Sequence, residues 1–202
     1  MKKRYFVYLL LFFVLIFLIF LIKNNYKNIK NGNNYFDKSV RGIEEYILNI
    51  NSYRATIEVV VNSNKNQNKY LIEQEHTDGF SKQIVQEPEN ISGVEIISKN
   101  GKIEIKNTKL NLSEIYNEYS GIYENILWLD SFIELYKTSD NKKIYEENGY
   151  IVMELYEENN KYYYNRKLYI NKESGAPEKM IVQDNSNNEK IYILYKKIII
   201  NK

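Results

Sequence analysis

The chain has no cysteine and one histidine, His76. The first absence removes disulfides, thiolate nucleophiles, cysteine metal sites and a lipid-modified N-terminal cysteine. The domain must therefore hold itself by its core alone. A lone histidine is a poor start for zinc, which collects three or four nitrogen, sulfur or carboxylate ligands. His76 falls on an expected strand beside Gln74 and Glu75. Ser81 is close in sequence, yet no Gly-x-Ser-x-Gly elbow occurs in the chain. A glycine-rich phosphate loop and EF-hand spacing are also missing. Adjacent acids occur at Glu44-Glu45, Glu146-Glu147 and Glu157-Glu158. Such doublets fit solvated faces or strand ends better than a catalytic carboxylate pair. No catalytic residue, metal or cofactor is expected.

A strong charge of either sign is lacking too. There are 28 Lys and Arg against 26 Asp and Glu, a formal net charge of +2. Three of the positive residues, Lys2, Lys3 and Arg4, stand at the extreme N-terminus, where no acid occurs, so the remainder carries −1. A near-neutral domain lacks the basic field that a nucleic-acid binder needs.

What is present begins with Tyr5 to Ile22, a run without one charge or strongly polar group. About 18 apolar residues are just enough to span the hydrocarbon core of a bilayer as a helix. The run is apolar on every face, unlike an amphipathic core helix. It passes from Ile22 straight into Lys23-Asn24-Asn25, with none of the small residues of a signal-peptide cleavage site. The reading is an uncleaved anchor over residues 1–22. Lys2, Lys3, Arg4 and the amino terminus slightly outweigh Lys23, Lys27 and Lys30 beyond the run, which puts the N-terminus in the cytoplasm and the rest outside. Residues 23–35, rich in Asn and Lys, read as a stalk. Residues 36–202 suit one domain.

Within that domain Phe36, Val40, Ile43, Ile47 and Ile50 form a helical stripe. In Ser52 to Val61, Tyr53, Ala55, Ile57, Val59 and Val61 occupy one face of a strand. Further strands are expected at Lys69–His76 and Phe80–Gln86, joined by Asp78-Gly79, and at Val94–Lys99 and Lys102–Lys106, joined by Asn100-Gly101. Leu112 to Tyr136 reads as helical, with Ile122, Ile126, Leu129, Ile133 and Tyr136 on one stripe and Trp128, Phe132 and Leu135 beside it. Strands return at Lys143–Tyr145, Tyr150–Tyr156, Tyr162–Ile170, Glu178–Asp184 and Lys190–Asn201. Roughly ten strands separated by tight turns imply an antiparallel meander, long enough to curl. The expected fold is α+β: a curved antiparallel sheet, or half-open barrel, capped by helices on its concave face and preceded by a transmembrane helix.

Several of these segments, taken in order, resemble a known family. They are Tyr53-x-Ala55 opening the long strand, Pro88 after three strands, and the Asn100-Gly101 hairpin. Leu129-x-x-Phe132-Ile133-x-x-Tyr136 follows, then Leu168-Tyr169-Ile170-Asn171-Lys172-x-x-Gly175-x-Pro177 and Tyr195. Together they resemble the lipoprotein-carrier (LolA/LolB-like) superfamily, and within it the clostridial germination lipoprotein GerS and its relatives. The resemblance spans Phe36 to Lys202. It implies a half-open barrel and a non-enzymatic role in sporulation, through binding a cortex-modifying amidase of the CwlD type, an N-acetylmuramoyl-L-alanine amidase. GerS proteins carry a lipobox cysteine, whereas this chain has an apolar run in its place, as a paralogue would.

Three functions compete. A membrane-tethered binding module fits the missing catalytic constellations. A lipid or lipoprotein carrier needs an empty apolar cavity and freedom to leave the membrane, which a tether denies. An enzyme lacks its residues. For a protein partner, Tyr162, Tyr163 and Tyr164 are the candidate binding residues; they also read as a strand with aromatics on both faces.

Overall fold

Alternation of apolar and polar residues sets the fold. In β1 (Ser52–Asn62), Tyr53, Ala55, Ile57 and Val59 are buried while the residues between them are not. The same period of two recurs in β11 (Glu189–Asn201), where Ile191, Ile193 and Tyr195 are buried. These two strands pair antiparallel at the middle of the sheet, with Ile57 opposite Tyr195 and Val59 opposite Ile193. The structure, a computed structural model, describes residues 37–63, 65–99, 102–117, 126–158 and 160–201. The proposed anchor, the whole of the stalk, Phe36 and the Asn100-Gly101 turn lie outside the described residues.

On one side of β1 follow β2 (Gln67–Thr77), β3 (Phe80–Glu87), β4 (Val94–Lys99), β5 (Lys102–Asn107) and β6 (Leu112–Asn117). On the other side of β11 lie β10 (Pro177–Gln183), β9 (Asn165–Asn171), β8 (Tyr150–Tyr156) and β7 (Lys142–Glu147). The eleven strands form one antiparallel sheet in the order β6-β5-β4-β3-β2-β1-β11-β10-β9-β8-β7. β6 and β7 end the sheet without pairing, so it is not closed. Residues opposite one another across antiparallel strands share a face. One buried row therefore crosses the sheet from Val59 through Ile193, Met180 and Leu168 to Met153.

Two helices cover this row. α1 (Val40–Leu48) starts at Ser39, whose Oγ accepts the Gly42 N–H at 3.0 Å. That side-chain cap satisfies one of the donors a helix leaves open at its start. Ile43 and Ile47 are fully buried and Ile50 nearly so, as the stripe requires. α2 (Leu129–Thr138) buries Leu129, Phe132, Ile133 and Tyr136. α1 packs on β7 and β8, and α2 on β8 and α1. The Tyr136 hydroxyl donates to Glu44 of α1 at 3.2 Å and ties the helices together.

Two expectations need correction. Leu112 to Tyr136 is not one helix: residues 112–117 form β6, paired with β5 from Asn107↔Leu112 to Ile103↔Tyr116. The turn before it is built by Asn107, whose Oδ1 accepts the Leu110 N–H, and by Asn111 at φ 53. A hairpin partner next door overrides a helical spacing of apolar residues. Ile122 lies outside the described residues, and Ile126 sits in a turn before the helix. The strand expected at Tyr162–Ile170 begins only at Asn165, because β8 ends at Tyr156 opposite Asn165 and offers no further partner. Asn148-Gly149, with φ of 51° and 81°, closes the β7–β8 hairpin in the left-handed geometry such two-residue turns require.

Candidate binding surface

The loop at Tyr162 to Tyr164 is held from three sides. Asn160 Oδ1 accepts the N–H groups of Tyr162 and Tyr163 at 3.3 and 3.1 Å. This local side-chain bond competes with sheet pairing and explains why the run is a loop. The Tyr164 carbonyl accepts the Glu157 N–H at 2.7 Å, and the Lys161 carbonyl accepts the Asn185 N–H at 3.1 Å. Tyr162 is 63% exposed and Tyr163 37%. Both line a groove of about 550 Å³ with Lys65, Asn66, Lys190 and Ile191. Tyr164 turns away from them and meets Tyr156 edge-on at 5.8 Å between ring centres. The three candidate tyrosines therefore serve two neighbouring surfaces.

The second surface is the sheet face opposite the helices, over β7 to β10. Glu154 is its centre. Its carboxylate accepts from Asn165 Nδ2 at 2.6 Å, Tyr156 OH at 2.7 Å and Tyr145 OH at 3.1 Å. Lys143 and Lys167, its neighbours on the adjacent strands, stand 3.2 and 3.5 Å away. Burial alone would raise this carboxyl, but the Asn165 amide, the Tyr156 hydroxyl and Lys143 outweigh it and hold it down at about 2. Lys143 lies over the rings of Tyr145 and Tyr156, and Lys179 over those of Tyr150 and Tyr169 at 5.4 and 4.4 Å. Burial, then Glu154, raises the Tyr145 hydroxyl, so it stays a neutral donor. The result is a layer of half-buried tyrosines, two of which, Tyr145 and Tyr156, are fixed by one buried acid. Its signal was present strand by strand, in Tyr150-x-Val152-x-Glu154-x-Tyr156 and Asn165-x-Lys167-x-Tyr169, but the lateral register was not.

His76 is not the isolated exposed histidine that the sequence suggests. Its side chain is 15% exposed. Nδ1 lies 2.8 Å from Ser81 Oγ and 3.5 Å from Asp130 Oδ2, and the ring stacks on Tyr53. The Tyr53 hydroxyl donates to Asp130 Oδ1 at 3.0 Å and accepts the Leu129 N–H at 3.2 Å, taking the place of a side-chain cap on α2. Burial pushes the Asp130 carboxyl up, against the pull of His76 and the Tyr53 hydroxyl. Serine, histidine and acid thus come together, but in the wrong order. A hydrolytic triad needs hydroxyl and acid on opposite ring nitrogens. Here both address Nδ1, so the acid cannot orient the ring while the other nitrogen takes the serine proton. The cluster fastens α2 to the sheet. Among the described residues no group of three or more His, Cys, Asp or Glu is arranged to hold a metal.

The inner face of β2 and β3 is polar where it passes the cluster. Gln74 and Gln83, opposite one another, are both buried, as is Ser81. Gln74 Nε2 donates to the Leu127 carbonyl at 3.0 Å. Acyl chains gain little from such a lining.

The described residues of the domain thus form an open antiparallel sheet with two helices on one face and a tyrosine layer on the other. A family model described as "Sporulation protein YdcC-like" matches residues 2–202, and the chain belongs to that family. No curated protein matches the chain by sequence. Among solved structures, it is similar to a chain in the structure of the CwlD amidase from Clostridioides difficile in complex with the GerS lipoprotein. The identity is 24% over 80% of this chain and 90% of that one, with a TM-score of 0.47. An uncharacterised conserved protein from Thermus thermophilus is 10% identical over 81% of this chain and 86% of its own, with a TM-score of 0.50. A LolA superfamily protein from Nitrosomonas europaea is 10% identical over 81% and 94%, with a TM-score of 0.43. GerS and the LolA superfamily, both named from the residues, thus occur among the proteins that the chain is similar to.

Proposed function

We propose that the chain is a non-enzymatic binding protein of the sporulating cell's envelope, tethered by residues 1–22 with its domain outside the membrane. It holds a protein partner, a cortex-modifying amidase of the CwlD type, on the face formed by Tyr145, Tyr156 and Tyr164. Membership of the sporulation family supports the setting. The amidase follows from the resemblance of the residues to GerS. The observation that carries a binding role is the tyrosine layer locked by Glu154. Rigid amphipathic rings give contact area at little entropic cost, which is why tyrosine is enriched at interfaces. A tether adds effective concentration without new contacts.

The carrier reading is the alternative. The polar inner face of β2 and β3 and the helices packed over β7 and β8 both weigh against an acyl-chain cavity. The test is deletion in a spore-former, scored for cortex muramic-δ-lactam and germination, with crosslinked pull-down of the full-length chain from sporulating cells. Loss of muramic-δ-lactam on deletion and capture of the amidase by the wild-type chain are expected; Tyr156→Ala combined with Tyr164→Ala should abolish the capture and reproduce the deletion. Normal cortex and germination with no amidase captured would refute the proposal. A stoichiometric lipid extracted from the purified chain would favour the carrier.

A further inference from the structure

We infer that the groove between the β1–β2 turn and the Tyr162–Tyr163 loop is a binding site for an anionic saccharide, a sugar unit bearing a carboxylate. It is separate from the face assigned to the protein partner. Three features define it. The first is a sugar platform: two neighbouring tyrosine rings, 63% and 37% exposed, stand at the groove wall. Their loop is already fixed by Asn160 Oδ1 and by the bond from Asn185 N to Lys161 O, so little order has to be created on binding. The second is charge. Lys65 and Lys190 line the groove and, among the described residues, no acidic side chain does. Lys65 makes no ion pair among the described residues. Lys190 gives one of its three donors to Asp184 Oδ2 at 3.1 Å, which leaves two for a ligand. Lys161 stands 5.0 Å from the centre of the Tyr162 ring and adds to the same field. The domain as a whole is near neutral, so this positive charge is local.

The third feature chooses between a sugar and an acidic peptide. A peptide laid in extended form draws on open backbone groups of its host. Several backbone N–H groups at this rim are already bonded within the chain: Ser63 N donates to Asn66 O at 2.8 Å, Asn160 N to Glu157 O at 2.9 Å, Asn185 N to Lys161 O, and Tyr162 N and Tyr163 N to Asn160 Oδ1. What remains on offer is ring faces and ammonium groups. The apolar face of a sugar ring can stack on the first while its carboxylate meets the second.

The experiment is ligand-observed saturation-transfer NMR on the full-length chain with N-acetylmuramic acid and N-acetylglucosamine, which differ only by the 3-O-lactyl group that carries the carboxylate. N-acetylmuramic acid should bind at least fivefold more tightly, with the strongest transfer to its ring protons. Lys65→Gln and the pair Tyr162→Ala with Tyr163→Ala should each weaken it at least threefold. Tyr156→Ala combined with Tyr164→Ala, which tests the partner face, should leave saccharide binding unchanged. Equal affinity for the two sugars would overturn the inference, as would affinities indifferent to the groove variants. Displacement by a hexaglutamate peptide that itself binds more tightly than either sugar would also overturn it and make the groove a peptide site. Failure to capture an amidase would not touch this result, because the two faces are probed by different variants.

Discussion

Glu154→Gln isolates the acid that organises the tyrosine layer. The wild-type carboxyl falls from an ordinary 4.5 to about 2, with burial opposing and its donors prevailing. A depressed carboxylate stabilises the fold above its unfolded value and loses that contribution as pH falls through the folded one. Two and a half units correspond to about 3 kcal/mol at neutral pH. Lys143 is 54% exposed, so solvent screening reduces this to about 2 kcal/mol. Glutamine keeps the shape, removes the charge and turns one acceptor into a donor facing Lys143 or Tyr145. Replacing charge-assisted bonds adds about 1 kcal/mol. The variant should be less stable by about 2–4 kcal/mol at pH 7, a melting point about 4–16 °C lower for a domain of this size. The assay is urea unfolding of both proteins at pH 7, 5, 4 and 3. The gap should narrow by about 1–2 kcal/mol between pH 6 and pH 3, because the unfolded wild-type chain takes up its proton over that range while the folded carboxylate does not. A gap that is constant from pH 7 to 3 would refute the electrostatic account. A loss below about 0.5 kcal/mol at pH 7 would place Glu154 on an ordinary surface.

Leu129, fully buried at the start of α2, should cost about 2–5 kcal/mol on replacement by alanine, read by urea unfolding; a negligible loss would put that stripe on the surface. Tyr53→Phe removes the hydroxyl between Asp130 and the Leu129 N–H, so it should cost about 1–3 kcal/mol and speed amide exchange at the start of α2; unchanged exchange would deny the capping role. His76→Ala should lower stability by about 1 kcal/mol yet leave the sporulation phenotype intact wherever the protein is folded; a selective functional loss would reopen the enzyme reading. N-terminal sequencing of membrane-extracted protein should begin at or near Met1; a mature start between Lys23 and Asn34 would remove the anchor.

The parts of the fold legible in the sequence are those specified locally. β1 announces itself by strict alternation, β8 by a nearly continuous apolar run that starts just after Gly149, and α1 by its stripe and polar start. The strand count was one short. The failure over residues 112–136 has a physical cause: Leu112 and Ile115 are spaced as helix residues are, but are 63% and 60% exposed at a sheet edge. Without a buried face their spacing carried no information about structure. The site was legible only in part. Tyr162 and Tyr163 stand out as aromatics beside a turn. The partners of His76 and Glu154 do not, because Asp130 is far along the chain and Lys143 and Lys167 reach Glu154 through the registers of β7 and β9.

Twenty tyrosines in one chain read first as a compositional habit. Their placement separates them into groups with different physics. Tyr53, Tyr136 and Tyr195 are buried, and burial raises each hydroxyl, so each remains a neutral phenol. Tyr53 and Tyr136 use that phenol to bind helix to sheet and helix to helix. Tyr145 and Tyr156 spend theirs on Glu154 and keep a ring edge in solvent. Tyr162 and Tyr163 are fixed through their backbone N–H groups by Asn160, and Tyr162 leaves most of its ring in solvent. A residue whose side chain the fold does not need, held in place by bonds made elsewhere, is free to be chosen for what it contacts. By that criterion the loop is where the proposed binding would fall, and the buried phenols carry structure. The Glu154 layer lies between the two, because the interactions that stabilise it also present its rings.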